Sequence, residues 1–273
     1  MTPPVYEAWA DREGLSAGWS DLREGMQKYR IWRELVRRDV VGKTRGSRLG
    51  FTWIIIAQAA ATAGIGLVYG RLFGLPIEEY IPYLAIGLIV WSLMITMISE
   101  ASNCFASNRA YLLQSRIPLS LCCYRLVARN IALFFLKSII IVAVLVIFQV
   151  EQSWYSLMAI PGLAVIAFAG FLTAITLGYV NAKYRDVGQF VTAATVFLFF
   201  MTPVIWKSNR LGSYAWVAEW NPLYHFLNLV RSPLLQQELS SHSFAMVGAS
   251  LLILTLTSVS VYRIWGRRIL YWL

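Results

Sequence analysis

The chain has 273 residues, of which 58% are hydrophobic and only 14% are charged, and its mean hydropathy is +0.58. A soluble domain normally carries about 25% charged residues, so this composition excludes an ordinary soluble protein and favours one that resides in a membrane. A net charge of +10 would suggest nucleic-acid binding in a soluble protein, but here the basic residues gather on one side of the predicted membrane segments, so no nucleic-acid partner is expected.

Residues 1–48 are predicted to form a cytoplasmic N-terminal segment with an amphipathic helix over 22–40. The apolar side chains of this helix recur every three or four residues; they are Leu22, Met26, Tyr29, Trp32, Val36 and Val40. The opposite side is rich in arginine. Such a helix lies flat on a membrane surface with its basic side towards anionic headgroups. Two roles remain open: a simple surface anchor, and a helix that also guides a lipid substrate or seats a partner.

The tripeptide Gly42-Lys43-Thr44 resembles the end of a phosphate-binding loop. That motif requires a second glycine five residues earlier, where this chain has Arg37. No strand is predicted ahead of it either. The chain is therefore not expected to hydrolyse nucleotide itself.

Six stretches are almost free of charged residues over the length that a membrane helix needs, about 20 residues. In hydrocarbon the backbone must satisfy its own hydrogen bonds, so each stretch is predicted to be helical. We therefore predict an all-α integral membrane protein, with a six-helix transmembrane domain over 49–264 and a cytoplasmic tail over 265–273. The predicted spans cover about 49–70, 80–99, 130–150, 154–182, 187–206 and 243–264.

The basic residues set the predicted orientation of these spans. With a cytoplasmic N-terminus, 19 Lys and Arg fall in the inside segments and four in the outside segments. Since the inside segments of membrane proteins are enriched in Lys and Arg, both termini are predicted to be cytoplasmic.

The segment 203–238, after the fifth predicted span, is too apolar for a free loop and too broken for a span. Pro203, Pro222 and Pro233 interrupt it. Non-helical backbone at membrane depth is tolerated where it lines a polar cavity. We predict short re-entrant or interfacial helices here, on the outer face between spans five and six.

Four groups of residues, in this order on a six-span chain, resemble those of bacterial polysaccharide-export ABC transporter permeases, which serve O-antigen, capsule and teichoic acid export. The groups are Tyr29-Arg30 with 35–39 and 43–53; Asn108 with Leu112-Leu113 and 116–118; 184–186; and 202–206 with 221–223 and Arg231. The resemblance covers roughly residues 25–270. The family often has proline in the first span, where this chain has Gln58-Ala59, and an acid where it has Ser232, so the type of polysaccharide stays open.

The resemblance implies a homodimer of this chain together with two copies of a separate ATP-binding subunit. The chain itself would be a transport subunit that is no enzyme and holds no cofactor, while the partner binds ATP and Mg. The implied substrate is a polysaccharide on an undecaprenyl diphosphate lipid. It would be moved from the cytoplasmic to the periplasmic side of the bacterial inner (plasma) membrane.

A diphosphate headgroup at the inner leaflet needs cations at that depth, and arginine suits forked phosphate contacts. The predicted headgroup-binding residues are Arg37, Arg38, Lys43, Arg45, Arg48 and Lys137. For the cluster 43–48, simple enforcement of topology is an equal alternative. Lys137 lies within a predicted span, where an ammonium is costly unless it reaches the interface.

A neutral glycan slides best past aromatic faces that offer few strong polar contacts. The predicted glycan channel consists of Trp206, Tyr214, Trp216, Trp220 and Tyr224. These side chains fit an ordinary aromatic belt at the membrane interface equally well.

The connection between the second and third predicted spans is predicted to couple the chain to the ATPase through a short helix. The residues concerned are Asn108, Arg109, Tyr111, Leu112, Leu113, Arg116 and Pro118. Arg185 and Asp186, ahead of the fifth span, are predicted to support the gate as a local ion pair.

Three other functions are weighed against export of a polysaccharide. The main alternative is an ABC permease of the same architecture that exports a drug or another lipid. A membrane-embedded transferase would need a His or carboxylate base in a pocket, and only His225 and His242 are present, without a suitably spaced carboxylate. An ion-coupled carrier would need buried acids, and the acid nearest a span is Glu100.

Overall fold

The computed structural model describes residues 14–42, 49–72, 74–114, 117–208, 212–266 and 268–272. All regular secondary structure in these ranges is helical. The α-helices, numbered in chain order, are α1 (Gly14–Gln27), α2 (Tyr29–Gly42), α3 (Thr52–Leu72), α4 (Ile77–Ser102), α5 (Arg109–Gln114), α6 (Ser120–Ile147), α7 (Ala159–Lys183), α8 (Val187–Met201), α9 (Trp216–Glu219), α10 (Pro222–Leu234), α11 (Ser241–Trp265) and α12 (Ile269–Trp272). The predicted all-α fold is confirmed for these residues.

Five helical segments of the described chain are long and apolar enough to cross a membrane: α3, α4, α6, α7 with the turn before it, and α11. The chain is thus a multi-pass membrane protein. The remaining apolar helix, α8, has 15 residues, fewer than the roughly 20 that a span needs. It stops because Pro203 disfavours helical backbone at Thr202, whose φ and ψ of −100° and 134° are extended.

Two boundaries differ from the sequence-based expectation. The surface helix predicted over 22–40 is two helices, α1 and α2, which meet at Lys28 and both pack against α6. The third apolar helix, α6, begins ten residues before the predicted start at residue 130. Arg125 and Arg129 suggested a boundary there, but both belong to the helix, because their charges are compensated by carboxylates on other elements.

Helix α4 forms the centre of the bundle. Its side chains are buried along most of its length, and Leu84, Ile86 and Ile89 have no exposed surface. Helices α3, α6, α7, α8 and α10 pack around it. Glycine allows a close approach at Gly170 of α7, where a Cβ atom would lie only 2.5 Å from the sulfur of Met97.

The bundle has two ends, which we call the N-terminal face and the opposite face. The N-terminal face carries α1, α2, the connection 103–119 and the end of α11; Asp21, for example, contacts Leu119 there. The opposite face carries the connection 148–158 and the segment 202–240. These two parts are joined by contacts such as the hydrogen bond from Gln236 to Ser156.

Within the segment 202–240, α10 is almost completely buried among α4, α7 and α11. Pro222 occupies its first turn, and the Asn221 side chain caps it by accepting a hydrogen bond from the Leu223 N–H at 3.0 Å. The contact with α7 is at backbone distance, since a Cβ atom on Gly162 would lie 2.4 Å from the Leu229 carbonyl oxygen. The segment therefore forms part of the core.

Candidate functional site

Arg125 joins three elements at the N-terminal face. Its guanidinium donates to both carboxylate oxygens of Asp39 in α2, at 2.8 and 2.6 Å, and to Asn108 Oδ1 at 2.6 Å. The two charged side chains are 16% and 19% exposed. Forked Arg–carboxylate pairs are among the stronger contacts in proteins. Helices α2 and α6 and the connection 103–119 therefore meet at this guanidinium.

Arg129, one turn further along α6, extends the network to α4. Its Nη2 donates to Glu100 Oε2 at 2.6 Å, and its Nη1 lies 3.6 Å from Asp39 Oδ2. Asn130 donates to the same Glu100 oxygen at 2.7 Å. Two arginines face two carboxylates, so the network is balanced in charge. A polar cavity of about 350 Å³ lies beside it.

Sequence reasoning did not find this network. Its partners stand far apart in the chain, since Asp39 and Arg125 are 86 positions apart and Glu100 and Arg129 are 29 positions apart. A signal was present, since charged residues flanking apolar helices on both sides need partners when they are drawn into a bundle.

The predicted ATPase-coupling connection has a buried side and an exposed side. Asn108 and Leu112 are 8% and 2% exposed, and Asn108 also donates to the Cys104 carbonyl at 2.7 Å. Tyr111 and Leu113 of α5 are 48% and 42% exposed. Among the other predicted coupling residues, Arg109 is exposed and Pro118 is buried. Arg116 lies outside the described residues.

Asp21 of α1 is buried at the start of α6. Its carboxylate accepts the backbone N–H groups of Leu119 and Ser120, each at 2.9 Å. Burial raises the pKa of Asp21 above its ordinary value, and these hydrogen bonds oppose the rise. No sequence motif predicted this contact, because the capping residue stands 98 positions before the helix that it caps.

The predicted headgroup-binding arginines of α2 lie on the surface. Arg37 and Arg38 are both exposed and pair with Glu34 at 3.0 and 3.2 Å. These hydrogen bonds hold the pKa of Glu34 below its ordinary value. The other predicted members of this group in the N-terminal segment, Lys43, Arg45 and Arg48, lie outside the described residues.

Lys137 points into the bundle, where its Nζ donates to the Ser92 hydroxyl of α4. A cavity of about 220 Å³ adjoins it, with Asn130 and Thr96 in the wall. The structure thus places the ammonium beside a partner within the span, and its predicted headgroup role stays a prediction.

Arg185 and Asp186 are both exposed in the turn before α8. In the described part of the chain, they form no ion pair with one another or with other side chains. The start of α8 is held instead by the Gly188 N–H, which donates to Asn181 Oδ1 at 2.7 Å.

A polar cavity of about 720 Å³ opens at the opposite face, a size typical of ligand sites. Its walls include Tyr224, His225, Asn228, Arg231, Glu238 and His242. His225 Nε2 lies 2.7 Å from the Glu219 carbonyl and Nδ1 lies 3.0 Å from the Ser243 hydroxyl. Since a carbonyl only accepts, Nε2 carries the hydrogen. Among the described residues no carboxylate contacts either histidine, so the pair adds nothing to the transferase alternative.

The predicted glycan-channel aromatics gather around this part of the molecule. Tyr214, Trp216 and Trp220 are 66%, 57% and 71% exposed. Tyr224 lines the cavity and hydrogen-bonds with Ser208 at 3.0 Å. Trp206 is partly buried and donates to the Phe200 carbonyl at 3.3 Å. The cavity itself was not predicted.

Arg231 fixes the floor of the cavity. It is 2% exposed and donates to the Pro203 carbonyl and to Asn228 Oδ1, both at 2.8 Å. Its guanidinium also stacks 4.1 Å from the centre of the Tyr83 ring, a cation–π contact. The Tyr83 hydroxyl lies 3.1 Å from the Pro203 carbonyl and 2.9 Å from that of Trp206. These contacts hold the kinked chain after α8 against α4 and α10.

The described chain is thus a bundle of long apolar helices with a charged network at the N-terminal face and a polar cavity at the opposite face. Comparison of the sequence with protein families shows that residues 31–235 match the ABC-2 type transporter model. Because this match covers most of the chain, the protein belongs to the ABC-2 type transporter family. Helix α1 precedes the matched region.

Within this family, the chain is similar to permease proteins of O-antigen export systems. The chain is 25% identical over 195 residues to the O-antigen export system permease protein RfbA of Myxococcus xanthus, covering 70% of this chain and 73% of that protein. It is 21% identical over 232 residues to RfbA of Klebsiella pneumoniae, covering 84% of this chain and 89% of that protein. The predicted family resemblance is thereby confirmed.

Proposed function

We propose that this chain is the transmembrane subunit of an ATP-driven exporter that moves an undecaprenyl-diphosphate-linked polysaccharide, of the O-antigen type, from the cytoplasmic to the periplasmic side of the bacterial inner membrane. The observation that carries the proposal is the N-terminal face. There, α5 has one exposed side, and Asn108, the residue before it, is held by a largely buried ion-pair network that joins α2, α4 and α6. Such a brace passes movement from a docked protein to the membrane helices.

The partner in this proposal is a separate ABC ATPase, as family membership implies. It binds ATP and Mg, and it docks on the exposed side of α5, which offers Arg109, Tyr111 and Leu113. Two ATPase copies act on a homodimer of this chain. Apolar side chains on α3 and α8, such as Trp53 and Phe190, are 59% and 74% exposed and are available to a second copy or to lipid.

The orientation in this proposal follows the distribution of basic residues. The N-terminal face is cytoplasmic, together with both termini. Helix α8 and the kinked residues 202–206 make up the fifth of six spans, and α10 is a re-entrant helix that enters from the outer side. The burial of α10 against α4 and α7 supports this assignment.

The lipid carrier enters from the inner leaflet in this proposal. The basic residues of α2 and of 43–48 attract its diphosphate, since clustered Lys and Arg near a membrane surface favour anionic headgroups. Arg37 and Arg38 suit this role because their only partner among the described residues, Glu34, is on the same exposed surface.

The glycan leaves past the cavity at the opposite face. Hydroxyl-rich sugars bind through planar polar side chains together with aromatic faces, and both kinds are present at and around this cavity. Asn228 and Glu238 supply the polar groups, and Tyr224, Trp216 and Trp220 supply the aromatic ones. The exposed rings at the rim allow a glycan to move without being held by strong charges.

The first test is co-purification of the tagged chain with the ABC ATPase encoded beside it, followed by ATP turnover in lipid nanodiscs. We expect a complex of two chains and two ATPases with ATP hydrolysis, and export of polysaccharide in cells that carry both genes. A chain that purifies alone and activates no ATPase would overturn the proposal. ATP turnover with unimpaired surface polysaccharide after deletion of the gene would favour the alternative of drug or other lipid export.

The headgroup role has its own test. Replacement of Lys43, Arg45 and Arg48 by alanine should lower export while ATP turnover in detergent persists. Unchanged export in this triple variant would remove these residues from the headgroup site. Arg71, at the far end of α3, provides a control whose replacement by alanine should leave headgroup capture unaffected.

A further inference from the structure

The N-terminal helix α1 is fastened to the beginning of α6 by a capping contact across the chain. Asp21 is 2% exposed. Its carboxylate accepts the N–H groups of Leu119 and Ser120, and the Ser120 hydroxyl donates to the Asp21 backbone carbonyl at 2.7 Å. The first N–H groups of a helix have no partner within it, and a carboxylate there also interacts favourably with the helix dipole. Asp21 of α1 thus supplies the hydrogen-bond acceptors that the first N–H groups of α6 lack within their own helix.

Two glycines allow α1 to sit this closely. A Cβ atom on Gly25 would lie 2.2 Å from the Ser120 hydroxyl oxygen, and one on Gly18 would lie 2.8 Å from the Tyr262 ring. Helix α1 therefore touches both the start of α6 and the end of α11. It bridges the C-terminal end of the connection 103–119, at Leu119, and the end of α11, at Tyr262.

The connection 103–119 is consequently held at both ends by N-terminal helices. Near its entrance, Asn108 is tied through Arg125 to Asp39 of α2. At its exit, Leu119 is tied to Asp21 of α1. The entrance contact lies within the region shared with the transporter family, 31–235, whereas α1 lies before it. The second attachment therefore joins a helix that precedes the matched region to a residue within it.

We propose that α1 acts as a strut between the ATPase-docking connection and α11, and that Asp21 is the positioning residue that fixes the exit of the connection. This inference rests on the proposed function for the identity of the docked partner. Asp21 contacts neither substrate nor nucleotide in this role. It acts by keeping the start of α6 and the end of α11 at a fixed separation when the connection is pushed.

The attachment is tested on the full-length chain in nanodiscs by hydrogen exchange, without any ATPase. Asp21→Ala should speed exchange at the Leu119 and Ser120 amides by about tenfold or more, because charge-assisted hydrogen bonds of this kind are lost. The matched control is Glu34→Gln, which removes a carboxylate whose partners in the described residues belong to its own helix. Unchanged exchange in Asp21→Ala would overturn the attachment.

The positioning role is tested on the complex with the ATPase, by the ratio of glycan exported to ATP hydrolysed. Asp21→Ala should reduce this ratio several-fold while ATP turnover stays within about twofold of wild type. Asp21→Asn keeps one acceptor oxygen, so its ratio of glycan exported to ATP hydrolysed should lie between those of Asp21→Ala and wild type. A ratio equal to wild type in both variants would overturn the positioning role, even if the amides exchange faster.

A second variant covers the case in which Asp21→Ala does not fold. Ser120→Ala removes the hydroxyl that donates to the Asp21 carbonyl and leaves the carboxylate contacts in place, so a smaller change in the same direction is expected. No change in exchange or in the export ratio would count against the proposal. If wild type binds no ATPase, the proposed function fails, whereas the exchange comparison still decides whether Asp21 holds the connection.

Discussion

At the N-terminal face, side chains of opposite charge join α2, α4 and α6, whereas at the opposite face Arg231 and Tyr83 donate to backbone carbonyls, as does Tyr80, whose hydroxyl donates to the Ile205 carbonyl at 2.8 Å. The first arrangement contains alternatives: Arg129 lies within reach of both Asp39 and Glu100. In the second, no acceptor carries a charge, and the carbonyls of Pro203, Ile205 and Trp206 are fixed by the course of the chain.

This difference matches the tasks that the two faces have in the proposed exporter. A network with more than one possible pairing can rearrange without leaving a buried charge unpaired, which a moving face requires. Contacts to backbone carbonyls fix a shape, which the wall of a glycan exit requires. Four predictions test the comparison, from the largest expected effect to the smallest.

Loss of Arg125 should have the largest effect. Arg125→Ala leaves the largely buried Asp39 carboxylate and Asn108 without their main donor, and we expect a loss of about 3 kcal/mol in the free energy of unfolding. The measurement is the thermal midpoint in detergent. Arg37→Ala is the control, since its ion pair with Glu34 is exposed and such pairs contribute little to stability. Equal shifts in both variants would contradict the proposed importance of the network.

Replacement of the Arg231 guanidinium at the opposite face should have the second-largest effect on stability. Arg231→Lys keeps the charge but loses the fork that reaches both Pro203 and Asn228, together with the stacking on Tyr83, so we expect a loss of about 1–2 kcal/mol. Hydrogen exchange over 202–208 should rise in this variant. A lysine variant that unfolds like wild type would show that charge alone holds this face.

Removal of one hydroxyl should have a smaller and more local effect. Tyr83→Phe takes the donor away from the Pro203 and Trp206 carbonyls, at a cost of about 1 kcal/mol. Tyr69→Phe on α3 is a useful comparison on a residue that is 36% exposed. Faster exchange at 203–207 in the Tyr83 variant alone is the expected result, and equal exchange in both would contradict it.

The smallest expected effect concerns pH. Burial raises the pKa of Asp21, and the nearby Glu24 carboxylate adds to the rise. A raised pKa means that the folded state holds the proton more tightly, so its stabilising contribution is present at low pH and is lost as the pH rises through the raised value.

The raised pKa of Asp21 predicts how the thermal midpoints of wild type and Asp21→Asn differ with pH. As the pH is lowered from 7 towards 3.8, the ordinary pKa of an aspartate, the thermal midpoint of wild type should rise relative to that of Asp21→Asn by about 2 °C. Asparagine does not titrate, so its variant provides the baseline. A difference between the two midpoints that grows with rising pH would show that the sign is wrong.

The apolar helices could be predicted from the sequence because the requirement is local: a run of about 20 apolar residues. Their ends were harder to place. The predicted third span was set to begin after Arg129, yet α6 begins at Ser120, because Asp39 and Glu100 compensate the two arginines from elsewhere in the chain. Pro203 shortened α8 below the length of the predicted fifth span.

The candidate sites show the same limit. A short helix between the second and third spans was predicted from residue types and order, whereas the burial of Leu112 and the exposure of Tyr111 and Leu113 required the packed structure. Partners such as Asp21 and Leu119 stand 98 positions apart, so no local sequence pattern predicts their contact. The cavity at the opposite face is lined by Tyr83 of α4 and by residues between 207 and 243, and the sequence predicted only the aromatic residues around it.

The contact between Gly162 and Leu229 has a consequence for how the opposite face moves. With the two backbones this close, α7 and α10 cannot slide past one another without separating, so we expect them to move together as one rigid body. Any opening at this end must therefore occur along a different seam of the bundle. Spin labels on α7 and α10 should keep one distance through the whole ATP cycle, while labels that pair α10 with α8 report the gate.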